Sequence, residues 1–365
     1  MSKARVIAYY LPQFHPVAEN DAWWGKGFTE WTNVAKAKPL FKGHDQPKLP
    51  ADLGFYDLRI PEVREEQANM AKAFGIEGFC YWHYWFGDGK RLLEKPFQEV
   101  VASGKPDFGF CLAWANIKWG GVDYGDHYKR LLMDQTYPGV EDYTNHFNAL
   151  LPAFLDERYL RIDNKPIFVI YNPTGIPDTK AFIDLWNALA KSNGLDGIYF
   201  IAYQHFNFNY KELGYDALTP PSPSHLFLRV KPNLLDRVVR KFTSFKLNQF
   251  KYRAFNLRSI YSHDEIVAAS DYSDIPEDVK FFPSCSPNWD HTPRSGTKGQ
   301  VIVNTKPSLF YKNLQNCYSR IKNYKSDEKI IFIKAWNEWA EGNYLEPDSK
   351  TGFDNLNEIK KFLEN

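Results

Sequence analysis

The sequence predicts a single (β/α)8 barrel, and three observations carry that expectation. Eight short apolar runs rich in β-formers recur along the chain: Val6–Tyr10, Gly78–Trp82, Phe108–Trp114, Ile167–Tyr171, Ile198–Ala202, Ala217–Thr219, Phe281–Ser284 and Lys329–Ala335. Amphipathic stretches of helical period lie between them, at Pro61–Phe74, Arg91–Ser103, Val140–Leu155, Thr179–Ser192 and Pro307–Asn323, and Asn355–Leu363 closes the chain. The apolar runs are continuous rather than alternating, which implies burial on both faces and therefore a parallel sheet. Eight β units favour a closed barrel over an open doubly wound sheet, and no GxGxxG follows the first run.

The first strand follows Met-Ser-Lys-Ala-Arg directly. No apolar leader or cleavage site precedes it and no run is long enough to span a membrane, so the expectation is a cytoplasmic protein without a transmembrane segment. Two intervals are long: Leu11–Leu53 after the first strand and Pro220–Lys280 after the sixth. Long loops at the C-terminal ends of barrel strands are where such folds build their sites. Within the second, residues 229–258 carry nine basic side chains against the single acid Asp236. That stretch reads either as a solvated helix face or as a peripheral contact with an anionic glycan, a lipid-linked sugar or a membrane surface. The whole chain is nearly neutral, with 45 Lys+Arg against 44 Asp+Glu, so no global field argues for nucleic acid. Cys80, Cys111, Cys285 and Cys317 lack CxxC spacing and read as buried free thiols.

Aromatic residues make up 17% of the chain, many of them beside Gly, Asn, Asp or His. Flat rings in polar surroundings suit sugars, although for any one ring the core is the plainer reading. The chemistry concentrates after the last strand, in Ala335-Trp-Asn-Glu-Trp-Ala-Glu-Gly-Asn-Tyr-Leu-Glu-Pro347. Glu338 and Glu341 cannot share a face of an extended strand, whose side chains alternate, but they converge in a turn. Cleaving a glycosidic bond needs one group to protonate the leaving oxygen and a second to activate or supply a nucleophile. Apolar surroundings from Trp336 and Trp339 would raise one carboxyl, and Asn337 would bind a hydroxyl or hold a carboxylate. The plainer alternative is a cluster of acids at a helix start. Glu346 reads as structural.

Asn337-Glu338-Trp339-Ala340-Glu341-Gly342 with Leu345-Glu346-Pro347 resembles the catalytic strand of glycoside hydrolase family 99, the endo-α-mannosidases, and more closely the WbsX-type glycosyltransferases of surface-polysaccharide clusters. Tyr9–Pro16, Trp23–Trp31, Gly78–Phe86, Trp114–Asn116, Arg158-Tyr159, Lys165-Pro166 and Pro287–Asp290 extend the resemblance over nearly the whole chain. It implies a barrel without metal or organic cofactor. It also implies a retaining mechanism in which Glu338 draws a proton from the sugar 2-hydroxyl while Glu341 acts as general acid and then base. On this account Glu341 is the carboxyl with the raised pKa. Where relatives continue Ala-Asn-Glu-Asn-Trp, this chain has Ala115-Asn116-Ile117-Lys118-Trp119, so a sugar subsite is remodelled.

Strand ends supply the candidate sugar-binding residues: Tyr10, Trp24, Glu30, Trp31, His83, Trp85, Trp114, Asn116, Tyr171, Tyr203, His205, Trp289, Asp290, Arg294, Trp336, Asn337 and Trp339. His83 reads equally as a core histidine, and Asp290 with Arg294 equally as a loop ion pair. His15, His83 and His205 lie on different strands with no close-spaced pair, which argues against a metal. The leading expectation is an α-glycoside hydrolase acting on an oligosaccharide or polysaccharide, with mannose-like linkages and endo action as its finer form. A glycosyltransferase of O-antigen or capsule biosynthesis is the alternative, and a non-catalytic glycan-binding protein the third.

Overall fold

The computed structural model describes residues 3–120, 130–230 and 259–365. Eight strands form the path of a nine-stranded sheet, whose ninth member, Arg161–Ile162, pairs antiparallel with the fourth: β1 Arg5–Tyr10, β2 Gly78–His83, β3 Gly109–Trp114, β4 Lys165–Ile170, β5 Tyr199–Tyr203, β6 Ala217–Thr219, β7 Ser284–Cys285 and β8 Ile330–Ile333. These eight run parallel, in the order β7-β8-β1-β2-β3-β4-β5-β6. A parallel bridge from Leu218 to Phe281 brings the approach to β7 against β6 and closes the ring, as a (β/α)8 barrel requires.

The seventh strand is shorter than the run Phe281–Ser284 suggests. Phe282 N–H donates to Leu218 on one side, whereas Pro283 offers only its carbonyl, to Phe332 N–H on the other. A proline has no N–H for the ladder, so the segment changes partner there.

Helices surround the barrel: α1 Ala18–Trp24, α2 Glu30–Lys36, α3 Pro61–Ala73, α4 Lys95–Ser103, α5 Val140–Leu155, α6 Thr179–Ser192, α7 Ser224–Arg229, α8 His263–Ala269, α9 Thr292–Ser295, α10 Pro307–Ile321 and α11 Asp354–Glu364. Proline stands in the first turn of α3, α4 and α10, where its missing N–H has no intrahelical partner to lose. The basic stretch 229–258 lies outside the described residues except at its start, where Arg229 pairs with Asp274. No helix among the described residues is long and apolar enough to cross a membrane. All four cysteines are free and buried, with Cys80 and Cys111 directly paired across β2 and β3.

Strand parity positions the site. Tyr9, Trp82, Tyr203 and Phe332 meet ring to ring inside the barrel, Tyr9 stacking on Trp82 at 4.9 Å and on Phe332 at 5.3 Å. Their neighbours one residue on face the helices. Tyr10 donates its hydroxyl to Gln67 of α3 at 2.7 Å, and His83 meets His146 of α5 at 2.8 Å. A period of two leaves no other arrangement.

Candidate active site

The chain leaves β8 through Lys334, and Asn337–Glu338 then pairs antiparallel with Asn343–Tyr344. One turn of 3₁₀ helix, Trp339–Glu341, closes this hairpin. Gly342 follows at φ 55°, and a Cβ there would lie 2.7 Å from the Asp290 backbone nitrogen. Only glycine tolerates both the left-handed conformation and that approach. The Asp290 N–H donates to the Glu341 carbonyl at 2.8 Å, fixing the turn to the loop after β7.

This turn brings the two glutamates together on one ammonium. Lys334 Nζ lies 2.5 Å from Glu338 Oε2 and 3.7 Å from Glu341 Oε2. The Trp82 indole N–H donates to the other Glu338 oxygen at 2.6 Å. Glu341 accepts from Arg294 Nη1 at 2.5 Å, with His291 at 3.6 Å, and Arg294 also ion-pairs with the fully buried Glu30 of α2.

The two carboxyls differ electrostatically. Burial pushes Glu338 up to about 7; the charge of Glu341 adds to this and Lys334 opposes it. Burial also raises Glu341, but Arg294, Lys334 and His291 outweigh it and hold the carboxyl well below the usual range. Glu338 therefore has the higher proton affinity of the two, the reverse of the sequence-based expectation. Two cations contact Glu341 and one contacts Glu338, and local sequence does not reveal that difference. The pair thus sets a carboxyl whose proton affinity is raised toward neutrality beside one whose affinity is lowered.

Of the other candidates, Tyr171 and Tyr203 stack at 5.0 Å and meet the Trp82 edge, so they belong to the interior around Glu338. Arg294 and Glu30 reach Glu341 as described. Trp289 stacks on His291 beside them. Asp290 does not pair with Arg294. Its carboxylate accepts from His44 at 2.7 Å, Gln46 at 2.6 Å and the Thr292 hydroxyl at 2.6 Å, and so fastens the long first loop to the site. Burial raises that carboxyl, but these donors hold it low.

The remaining candidates make their described contacts with other groups. Tyr10, His83, Trp85 and Trp114 fill the layer between sheet and helices, Trp85 donating to Asp142 and Trp114 to the Trp85 carbonyl. Trp31, Trp336, Asn337 and Trp339 pack beneath the loops. Asn337 holds both backbone polar groups of Leu11, Trp31 donates to Tyr56 O, Trp339 donates to Glu346, and Trp336 is fully buried against Phe79. Asn116 binds Asn172 and Tyr137. Trp24 lies under the Arg130 guanidinium, and burial lowers the half-buried His205. At the altered stretch Ile117 is half-buried and Lys118 exposed.

Sequence reading missed Lys334, His291 and Trp82. A charge ending the run Ile330–Ile333, four residues before Glu338, was the available signal for Lys334. A cavity of about 250 Å³ is lined by Trp82 and His83 of β2 together with Leu92, Phe97, Val101, Leu150 and Ala153.

Comparison with known proteins identifies the family and the fold. A family model described as glycosyltransferase WbsX matches residues 6–359. The chain is 36% identical over 364 residues to the uncharacterized protein WxcX of Xanthomonas campestris pv. campestris strain B100, covering 99% of this chain and 50% of that protein. A second strain's WxcX matches equally, so the chain spans about half the length of these curated relatives. Among solved structures, a glycoside hydrolase-like protein superposes with a TM-score of 0.60 at 15% identity, covering 99% of this chain and 94% of that one. A GH99 endo-alpha-mannosidase from Bacteroides thetaiotaomicron, in complex with Bis-Tris-propane, gives 0.55 at 13% identity, covering 99% and 96%. At such identities the structures share the fold. The match to the family model covers nearly every described element, and the chain belongs to the WbsX glycosyltransferase family.

Proposed function

We propose that this chain is a glycan-active enzyme that hydrolyses an α-glycosidic bond of an oligosaccharide or polysaccharide, with Glu338 and Glu341 as its working carboxylates. The observation that carries this reading is the convergence of the buried Glu338 and the half-buried Glu341, whose proton affinities are shifted in opposite directions, on Lys334 at the C-terminal end of β8. Glycoside cleavage needs one carboxyl that gives a proton and one that takes it. In the reading taken from family 99, Glu338 is the base on the sugar 2-hydroxyl, which attacks C1, and Glu341 protonates the leaving oxygen and later deprotonates water. The scheme uses the pair in its singly protonated form, with the proton passing from Glu338 to Glu341. The finer form of the proposal is endo action on a mannose-like linkage.

The family's name supports a second reading, transfer of the glycosyl group to a hydroxyl acceptor by the same pair. A panel of α-linked glycans, assayed for released sugar with and without alcohol acceptors, separates the two. Release in water that Glu338→Gln and Glu341→Gln both abolish supports hydrolysis. Product formed only with an acceptor moves the assignment to transfer. Turnover that survives both substitutions removes the pair from the mechanism.

A further inference from the structure

We propose that Lys334 is a positioning residue that lets Glu338 release its proton to Glu341, and so decides which glutamate serves as the base. This deepens the assignment of the Glu338–Glu341 pair and rests on it. The side chain is only 9% exposed, and its ammonium lies 5.3 Å from the centre of the Trp82 ring. Its backbone N–H donates to Cys285 O at 2.9 Å, anchoring the residue at the seam between β7 and β8. A buried ammonium is costly unless paired, and a purely structural lysine needs one carboxylate. This one reaches between two.

Both oxygens of Glu338 are held by donors, Oε1 by Trp82 and Oε2 by Lys334, and both donors favour the carboxylate. The charged and titratable groups around Lys334 come from four sides. Glu338 and Glu341 lie on its own segment, and Arg294 and His291 reach Glu341 from the loop after β7. Tyr203 comes from β5, and Glu30 holds Arg294 from α2. Arg294 is engaged by Glu30 and Glu341, so Lys334 is the cation hydrogen-bonded to Glu338 among the described residues.

A glycosidic oxygen entering against Glu341 displaces Arg294 and raises the proton affinity of that carboxyl. The O–H bond on Glu338 breaks, one forms on Glu341, and the net charge of the pair is unchanged. Lys334 then stabilises the carboxylate left on Glu338, which accepts the 2-hydroxyl proton.

The test reads the proton directly. Protein labelled with carbon-13 at the glutamate side-chain carboxyls is titrated by NMR, and the two resonances are identified by their loss in Glu338→Gln and Glu341→Gln. Glu338 should titrate near 7 in the parent protein. In Lys334→Met, which keeps the side-chain length and loses the charge, its midpoint should rise by about one unit or more, a tenfold gain in proton affinity. Lys334→Gln carries the same expectation where the methionine variant does not fold. On any glycan the parent cleaves, kcat should fall with KM little changed, and the alkaline limb of the pH profile should move up with the midpoint. An unmoved Glu338 midpoint in a folded variant overturns the proposal. The titration needs no substrate, so a chain that cleaves no glycan defeats the functional assignment while leaving the role of Lys334 to be decided separately.

Discussion

Glu338 and Glu346 sit on the same segment after β8, both buried, and burial pushes both carboxyls up to about 7. Their neighbours differ. Glu346 is enclosed by neutral donors: the Tyr56 hydroxyl at 2.9 Å, Gln67 Nε2 at 2.6 Å and the Trp339 indole at 2.6 Å. Glu338 faces an ammonium and a second carboxyl. Burial sets the proton affinity of each, and the partners decide whether the proton has anywhere to go. A raised proton affinity alone therefore does not tell the two glutamates apart; coupling to a second carboxyl does.

The largest expected difference between the two regions is in turnover. Glu338→Gln and Glu341→Gln should each lower kcat roughly 10²–10⁴-fold, the usual share of general acid–base catalysis. Glu346→Gln should leave kcat within a few-fold. Equal losses at all three positions, measured on the same glycan, would erase the distinction drawn above.

Arg294 makes the next largest effect. Arg294→Met strips the cation from Glu30, which has no solvent exposure, and breaking a buried pair from one side costs about 3–5 kcal/mol. Adding Glu30→Gln should recover much of that in urea unfolding, because the unpaired charge is gone. A loss below about 1 kcal/mol in the single variant would mean that Glu30 is already neutral when Arg294 leaves.

The two regions also share a pH dependence that can be divided between them. A carboxyl whose folded pKa is raised stabilises the fold at low pH, and that contribution is lost as pH rises through the folded value. Glu338 and Glu346 should therefore make the protein less stable between about pH 4.5 and about 7, by up to about 3 kcal/mol each. Glu341 has the opposite sign: its contribution is present above the usual carboxylate range and disappears as pH falls through its depressed value. Glu346→Gln should flatten the upper slope by one share. An unchanged slope would place the proton-binding group elsewhere.

The barrel was legible from local sequence, as was the convergence of Glu338 and Glu341 in a turn, but the facing of individual strand residues was not. Tyr10, His83 and Trp114 end apolar strands and so read as mouth residues. Yet a strand buried on both faces carries no polar alternation to mark which side is the interior. Tyr9 and Trp82, one residue away, are the inward pair. Asp290 and Arg294 lie four residues apart and read equally as an ion pair or as sugar ligands. Their true partners, His44 and Gln46 for one and Glu30 and Glu341 for the other, come from distant loops that only closure of the barrel brings in. Lys334 read as the end of a strand because nothing local shows that its side chain turns inward with Phe332.

The smallest effect tests whether the Glu346 region is purely structural. The Tyr56 hydroxyl donates to Glu346 and accepts from Asn337 Nδ2 at 3.2 Å, so Tyr56→Phe removes two hydrogen bonds while keeping the ring among Phe14 and Trp31. Asn337 retains its bonds to both backbone groups of Leu11, and Glu346 retains Gln67 and Trp339. The cost should be about 1–2 kcal/mol in urea unfolding, since each net hydrogen bond contributes about 1 kcal/mol. The Tyr56 donor helps lower the Glu346 pKa, so its loss should move the upper pH transition in stability toward higher pH. Turnover should stay near the parent value, because no atom of this cluster contacts Lys334, Glu338 or Glu341 through the hydrogen bonds described. A tenfold fall in kcat with KM unchanged would show instead that Asn337, seated directly before Glu338, transmits the position of Tyr56 to the catalytic carboxyl. The boundary between the two regions would then have to be drawn beyond Asn337 rather than at it.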